Sequence, residues 1–429
     1  MGWPFIVVAV SASILCTIIF KFIQVRYFIT AWRYFFTPSD QAKNGCADMS
    51  PAQALINALN SNLGNGTIAG MAVALVAGGP GAAFWLLVMG LLLMSVRFAE
   101  VFLSLYFGTQ ACAESKIGGP MFYLSHVRGG SILPYIYAFS VFLYILVGAN
   151  AVQVNAIALS FKEAIGLPAY LVGTLFAACV IYVVFGGAHR ILSASEKIVP
   201  IKVGVFVLST LIILMVKWNA IIPALKLIIT SAFSPVAITG GAIGFTVQQA
   251  LQTGISNIAF ASEAGLGTAA IMFGATNSKA PVKDAIMSML SAFLTTILAF
   301  TLTLCIVATG VWNNGLTSTP LTMSAFSTVF GSLGNWIVIF LAFTFGLGAI
   351  VACAYVGREV WMFLTNNKWV WLFNVIYCAV AFLGAIADVT LVFNLVKILT
   401  IVVLVINLYG IVQLLPITRK ALSDFERNN

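Results

Sequence analysis

Charge is what this chain has least of. Asp, Glu, Lys and Arg together make 8% of its 429 residues, while hydrophobic residues make 61%. No water-soluble chain of this length can hide so much apolar surface, which excludes an ordinary globular domain. Histidine is nearly absent: His126 and His189 stand alone and read as loop residues, which argues against a metal centre. The seven cysteines, at positions 16, 46, 112, 179, 305, 353 and 378, include no Cys-x-x-Cys pair. Most lie in apolar runs and read as small core residues rather than disulfides or metal ligands. Short segments of alternating hydrophobicity are lacking, and with them a β-barrel. A basic region before the first apolar run is also lacking, as is a cleavage site, so that run reads as a first span and not a signal peptide. The net charge of +9 would suit a nucleic-acid partner, but the basic residues are scattered over short connections, as expected of membrane topology.

What is present is a succession of long apolar segments. We read eleven spans, about 3–20, 51–77, 82–107, 133–161, 168–185, 197–216, 238–262, 284–311, 333–361, 369–387 and 389–415. The expected fold is therefore an all-α polytopic membrane protein. Fifteen basic residues, from Lys21 and Lys43 through Lys116 to Arg427, fall on one side of this arrangement. Three (Lys162, Lys217, Lys226) fall on the other, and Arg97, Lys202 and Lys397 lie within spans. That asymmetry predicts an outer N-terminus and a cytoplasmic C-terminus, in a bacterial inner membrane.

Two spans are unusual. The second contains Asn60-Ser-Asn-Leu-Gly-Asn-Gly-Thr-Ile-Ala-Gly70, with three glycines in seven residues. Glycine is a poor helix former, and unpaired backbone groups survive at membrane depth only against protein or a wet cavity. The stretch reads as a broken helix that offers backbone dipoles to a polar ligand; a small-residue packing face is the alternative. The seventh span is again polar inside, with Thr246, Gln248, Gln249, Gln252, Thr253, Ser256 and Asn257, and reads as the second interruption. The two lie five spans apart and so in opposite orientations. Five-plus-five inverted repeats, each opening with a broken helix, describe a transporter architecture with substrate near the midplane. We divide the single domain into an N-terminal helix and loop (1–49), a first repeat (50–217), a second repeat (238–415) and a tail (416–429).

Several ordered motifs resemble the alanine/glycine:cation symporters. They are Gly64-Asn-Gly-Thr-Ile-Ala-Gly70, Gly78-Gly-Pro-Gly81, Arg97-Phe-Ala-Glu100, Gly119-Pro-Met-Phe-Tyr123, Asn150-Ala-Val-Gln-Val-Asn155, Glu196-Lys-Ile-Val-Pro200 and Glu263-Ala-Gly-Leu-Gly267. The resemblance implies a LeuT-type fold with one added N-terminal helix, and symport of a small amino acid with sodium. The chain departs from the pattern at several points. Asn and Thr are exchanged at Asn65 and Thr67, and Ala261-Ser262 stands where the family has Ser-Asn. A family Arg falls at Asn257 and a family Asp at Thr295. In the ninth span, paired hydroxyl residues, a Trp and a Tyr-Gly-Glu fall at Gly348-Ala349, Cys353 and Gly357-Arg358. This describes a divergent member.

Gly64, Asn65, Gly66 and Thr67 would present N–H groups and a helix end to a substrate carboxylate. Gln153 would contact the substrate, as the resemblance implies, or bond between helices, as could Asn150 and Asn155. Thr253, Gly254, Asn257 and Phe260 would form the facing wall, with Phe260 a cap or an ordinary packed aromatic, and Cys353 completes the set. The resemblance places sodium on carbonyls near Asn60 and Leu63 and on side chains at Gly348 and Ala349, which carry no oxygen. Thr344, one turn earlier, is the substitute if the alignment shifts. Arg97 and Glu100, spaced i, i+3, read as a structural ion pair or gate latch. Glu263, placed at the cytoplasmic end of the seventh span, and Glu196 read as loop anchors.

These readings point to a secondary active transporter importing alanine or glycine by cation symport, with sodium as co-substrate. The alternative is a proton-coupled or uncoupled permease of the same fold. An enzyme is disfavoured because no His/Cys/carboxylate cluster lies in the spans. A channel is disfavoured because no repeated filter motif occurs. No cofactor or nucleic acid is expected; the partners are the amino acid, sodium or a proton, and the lipid bilayer, around a monomer.

Overall fold

The computed structural model describes residues 2–37, 49–111, 118–233, 246–276 and 278–428. Lys43, Cys46, Cys112, Lys116 and the start of the expected seventh span near Ile238 lie outside the described residues. All regular structure among the described residues is helical: α1 (Trp3–Ile19), α2 (Pro51–Asn62), α3 (Met71–Gly78), α4 (Gly81–Ala111), α5 (Leu133–Leu146), α6 (Val152–Ile165), α7 (Ala169–Val184), α8 (Gly187–Val216), α9 (Trp218–Phe233), α10 (Val247–Ser262), α11 (Thr268–Gly274), α12 (Pro281–Ala308), α13 (Ser318–Phe330), α14 (Ser332–Thr365), α15 (Val370–Ile386) and α16 (Val389–Asn428), with a nine-residue helix at Phe28–Phe36 after α1 and a few shorter turns. Six of these paths are long and apolar enough to cross a membrane unaided, and α1, α7 and α15 are shorter apolar helices. The interrupted pairs α2/α3 and α10/α11 bring the number close to the eleven expected, with α9 a further short apolar helix among the described residues. Three connections that sequence reading left as loops are helical: Phe28–Phe36, α9 and α13.

The exterior is apolar as well as the interior, and a small polar cluster lies at the centre. On α8, Leu208, Leu211 and Met215 are exposed, while Asn57, Asn60, Ser61, Asn62, Asn65 and Thr67 are buried at the centre. Lipid covers the first set; the second is tolerated only where partners or a ligand meet it.

Both interrupted helices begin in the same way. Ser50 Oγ accepts from Gln53 N at 3.2 Å and Gln53 Oε1 accepts from Ser50 N at 2.7 Å, with Pro51 following the cap. Thr246 and Gln249 repeat this at 3.1 and 3.0 Å. These are capping boxes, which satisfy two orphan donors within the helix itself. α10 packs on α3 and α11 on α2, so the two interrupted helices run antiparallel with their breaks side by side. α4 lies against both α10 and α12.

The second interruption is not where the polar stretch suggested. Val247–Ser262 is one continuous helix. Thr253 Oγ1 bonds Gln249 O at 2.7 Å and Asn257 Nδ2 bonds Thr253 O at 2.8 Å, so these side chains bond their own helix instead of breaking it. The break follows at Glu263, Gly265 and Gly267, with φ of 51°, 88° and 85°, values that cost glycine little. Glu263 therefore sits at the break in the middle of the path and not at its cytoplasmic end.

Candidate functional site

The first break frees the backbone groups that define the site. α2 ends at Asn62, Leu63 leaves the helix with ψ 64°, and a π-helical turn, Gly66–Gly70, leads into α3. A second π turn, Val147–Ala151, lies between α5 and α6 across the cavity; such turns concentrate at functional positions. Gln153, just beyond it, spans the gap. Its Oε1 accepts from Asn65 N at 2.7 Å, its backbone carbonyl accepts from Asn65 Nδ2 at 3.2 Å, and its Nε2 donates to Gly148 O at 3.4 Å. The amide oxygen thus holds the N–H that a substrate carboxylate would need.

Around this contact lies a small polar cavity of ≈ 10 Å³, lined among others by Ser61, Gly64, Gly66, Tyr144, Gln153, Phe260, Glu263 and Ala349. That is about the room one water needs. A Cβ on Gly64 would lie 2.8 Å from Gln153 Oε1 and 3.1 Å from Ala349 Cβ; one on Gly66 would lie 3.2 Å from the Phe260 ring. Phe260 meets Tyr144 edge-on, with ring centroids 6.4 Å apart.

Glu263 was missed as a lining residue. Its Oε2 accepts from Ser61 Oγ at 2.6 Å and Thr268 Oγ1 at 2.7 Å, and its Oε1 from Tyr144 OH at 3.3 Å. One carboxylate therefore ties α2, α11 and α5 together at the cavity wall. The positive-φ glycines two and four residues later were the signal available in the sequence.

The other singled-out residues divide. Thr253 packs on Gly78, where a Cβ would lie 1.8 Å from its Oγ1. Gly254 packs on α4, where a Cβ would meet Ala82 O at 2.4 Å, and Asn257 faces Gly70. Thr67 is buried and its Oγ1 has no hydrogen-bond partner. Cys353 Sγ lies 3.0 Å from Ser61 Oγ, one side chain removed from the lining. Asn150 and Asn155 reach across to α15 and the residue after it: Asn150 Nδ2 donates to Tyr377 O, and Asn155 Nδ2 to Gly384 O and Ala387 O.

Arg97 and Glu100, both fully buried, form a 2.7 Å ion pair. Arg97 Nη2 also donates to Ser262 O, the last carbonyl of α10, and Glu100 Oε2 accepts from Gly265 N at 3.0 Å and Gly267 N at 3.2 Å. The cation meets the carbonyl end of one half-helix and the anion meets the N–H groups before the next, the signs each dipole favours. Asn407 Nδ2 adds a 3.2 Å bond to the same carboxylate.

The carbonyls of Asn60 and Leu63 face a different neighbour. Lys202 Nζ, on α8 and fully buried, donates to Leu63 O at 2.8 Å and to Asn60 O at 3.1 Å. Sodium wants several hard oxygens, and this donor set does not fit it. Two carbonyls are engaged by an ammonium, Gly348 and Ala349 bring no side-chain oxygen, and the Thr344 hydroxyl donates to Phe340 O and Leu341 O of its own helix. Lys202 was passed over as an ordinary in-span residue; its signal was an ionisable side chain alone in an apolar run.

The family model for the sodium:alanine symporter family matches residues 1–429. This chain belongs to the sodium:alanine symporter family. It is therefore a multi-pass membrane transporter and not an enzyme. Its similarity to other family members spans their length. It is 32% identical to an uncharacterised transporter of Haemophilus influenzae over 99% of this chain and 93% of that one. It is 31% identical to the sodium/alanine symporter AgcS of Methanococcus maripaludis, over 99% and 95%. Among solved structures it is similar in fold to a Na+-coupled sialic acid symporter, with TM-score 0.57 and 14% identity over 90% of this chain and 82% of that one. The fold of this symporter-family chain is LeuT-type, with two interrupted helices at its centre.

Proposed function

We propose that this chain imports a small neutral amino acid, alanine or glycine, together with a monovalent cation, by alternating access. The observation that carries this reading is the break at Leu63 and Gly64, where the Asn65 N–H bonds Gln153 Oε1 beside a polar cavity walled by glycines, Ala349 and Phe260. A zwitterion in a low-dielectric cavity must have both charges answered. The substrate carboxylate displaces Gln153 Oε1 from the Asn65 N–H, and the freed amide turns its NH2 to the carboxylate. The ammonium falls to Glu263, which has three hydroxyl donors and, with four lone-pair sites on a carboxylate, room for one more. Gly64 and Gly66 put no side chain into the site, which favours a small substrate, and Phe260 covers it. Relatives named for sodium and alanine support the same substrate class. The protein acts as a monomer in the inner membrane, N-terminus outside and C-terminus in the cytoplasm. Counterflow of labelled alanine into liposomes holding purified protein tests the reading. Competition by glycine, alanine and serine, with none by arginine, is expected; a preference for leucine or arginine, or no counterflow, refutes it.

A further inference from the structure

The Lys202 site rests on three observations. The ammonium bonds both carbonyls freed by the first break. Its notch exists because position 348 is glycine: a Cβ there would lie 2.7 Å from Lys202 Nζ and 2.2 Å from Asn60 Oδ1. The Phe345 ring, three residues before Gly348, lies with its centroid 5.1 Å from Nζ, within cation–π reach. Among the described residues no carboxylate lies within ion-pair distance of Nζ. The charge is thus met by the C-terminal dipole of α2 and an aromatic face, which is how a free cation would be held. We propose that the Lys202 ammonium takes the place of sodium between α2 and α14, and that the proton it carries is the coupling ion.

This deepens the transport reading and rests on it. A tethered cation cannot dissociate, so the sodium gradient has nothing to drive at this position. The one ion that can enter and leave is the proton. Nζ takes a proton from water on the outer side, and the resulting ammonium clamps Asn60 O and Leu63 O. After reorientation the ammonium releases the proton to water on the inner side, leaving a neutral amine with a weaker hold on the half-helix. Cys353, a thiol of α14, is the titratable neighbour of Lys202 among the helices packed against α8. Cys353 Sγ touches Ser61 Oγ, which donates to Glu263 Oε2 at the cavity wall. Asn60 and Ser61 are neighbours on α2, so the clamp and the substrate contact act on the same final turn.

The test uses purified full-length protein in liposomes, with labelled alanine, an inward sodium or choline gradient at fixed pH, then an inward proton gradient in choline. Uptake is expected to be equal in sodium and choline, to rise several-fold with the proton gradient, and to lose that rise with a protonophore. In Lys202→Met the ratio of uptake with and without the proton gradient should fall to one, whatever the absolute rate. A steep, saturable sodium requirement in the unaltered protein overturns the proposal, as does indifference to both gradients or a proton response that survives in Lys202→Met. Failure of alanine counterflow instead refutes the substrate reading. The site can still be tested then by thermal unfolding in detergent. Sodium against choline should leave the unaltered protein's Tm in place, and should raise the Tm of Lys202→Ala/Gly348→Ser, where a hydroxyl replaces the ammonium. A sodium-dependent rise in the unaltered protein overturns the proposal by that route.

Discussion

Replacing Gly64 with alanine adds one methyl group at the most crowded point of the site. That carbon would stand 2.8 Å from Gln153 Oε1, 3.0 Å from its Nε2 and 3.1 Å from Ala349 Cβ. Ala349 has no freedom to move, so the end of Gln153 must yield. Moving it breaks the 2.7 Å bond to Asn65 N, and a buried N–H left without a partner costs about 1–3 kcal/mol. The methyl also occupies a cavity with room for about one water, and it stands where the substrate carboxylate must approach. By keeping the carboxylate from the Asn65 N–H the methyl removes a hydrogen bond from the bound state, about 1–3 kcal/mol, so the apparent constant for alanine should rise about 5- to 140-fold. Gly204→Ala on α8 is the control: its Cβ meets nothing within 4 Å, and removing a mid-helix glycine stabilises by up to about 1 kcal/mol. Competition by unlabelled alanine in counterflow measures the constant, and thermal unfolding shows whether each variant is folded. A folded Gly64→Ala protein with an unchanged constant would refute the placing of substrate at the first break.

Three further outcomes are expected. Glu263→Gln keeps the shape at the second break but removes the charge and turns one accepting oxygen into a donating NH2, and should weaken alanine binding by about 1.5–3 kcal/mol, read as the rise in the counterflow constant; an unchanged constant reduces Glu263 to a tie between helices. Arg97→Gln leaves Glu100 buried without its cation and should cost about 3–5 kcal/mol, seen as a lowered Tm or loss of folded protein, with Arg97→Lys intermediate; an unaltered Tm would show the pair to be dispensable. A reporter fused after Asn429 should be active only in its cytoplasmic form, and a cysteine introduced at Gly2 should react with an impermeant reagent from outside; the reverse pattern ends the topology argument.

Much of the architecture could be read from the chain because hydropathy and glycine content act locally. The eleven paths follow from runs of apolar residues, and the first break from three glycines in seven positions. The second break was misplaced because Thr and Asn in a helix look polar in sequence yet bond their own preceding turn, as Thr253 and Asn257 do. The left-handed backbone comes later, at Glu263 and the glycines at 265 and 267. The absence of hydroxyls at Gly348 and Ala349 was legible and pointed to an altered cation site. What fills the space was not, since Lys202 and Gly348 lie 146 positions apart in the chain and meet only when α8 packs on α2 and α14.

The two capping boxes bear on how such a molecule can move. A helix end that relies on neighbours for its first N–H groups must break those bonds each time it slides past them, and each lost bond adds to the barrier. Ser50–Gln53 and Thr246–Gln249 settle part of that demand inside the helix. The starts of both interrupted helices therefore carry part of their own bonding with them, like pivots with built-in bearings. Under the alternating access proposed above, such bonds would travel with the helix rather than be broken and remade.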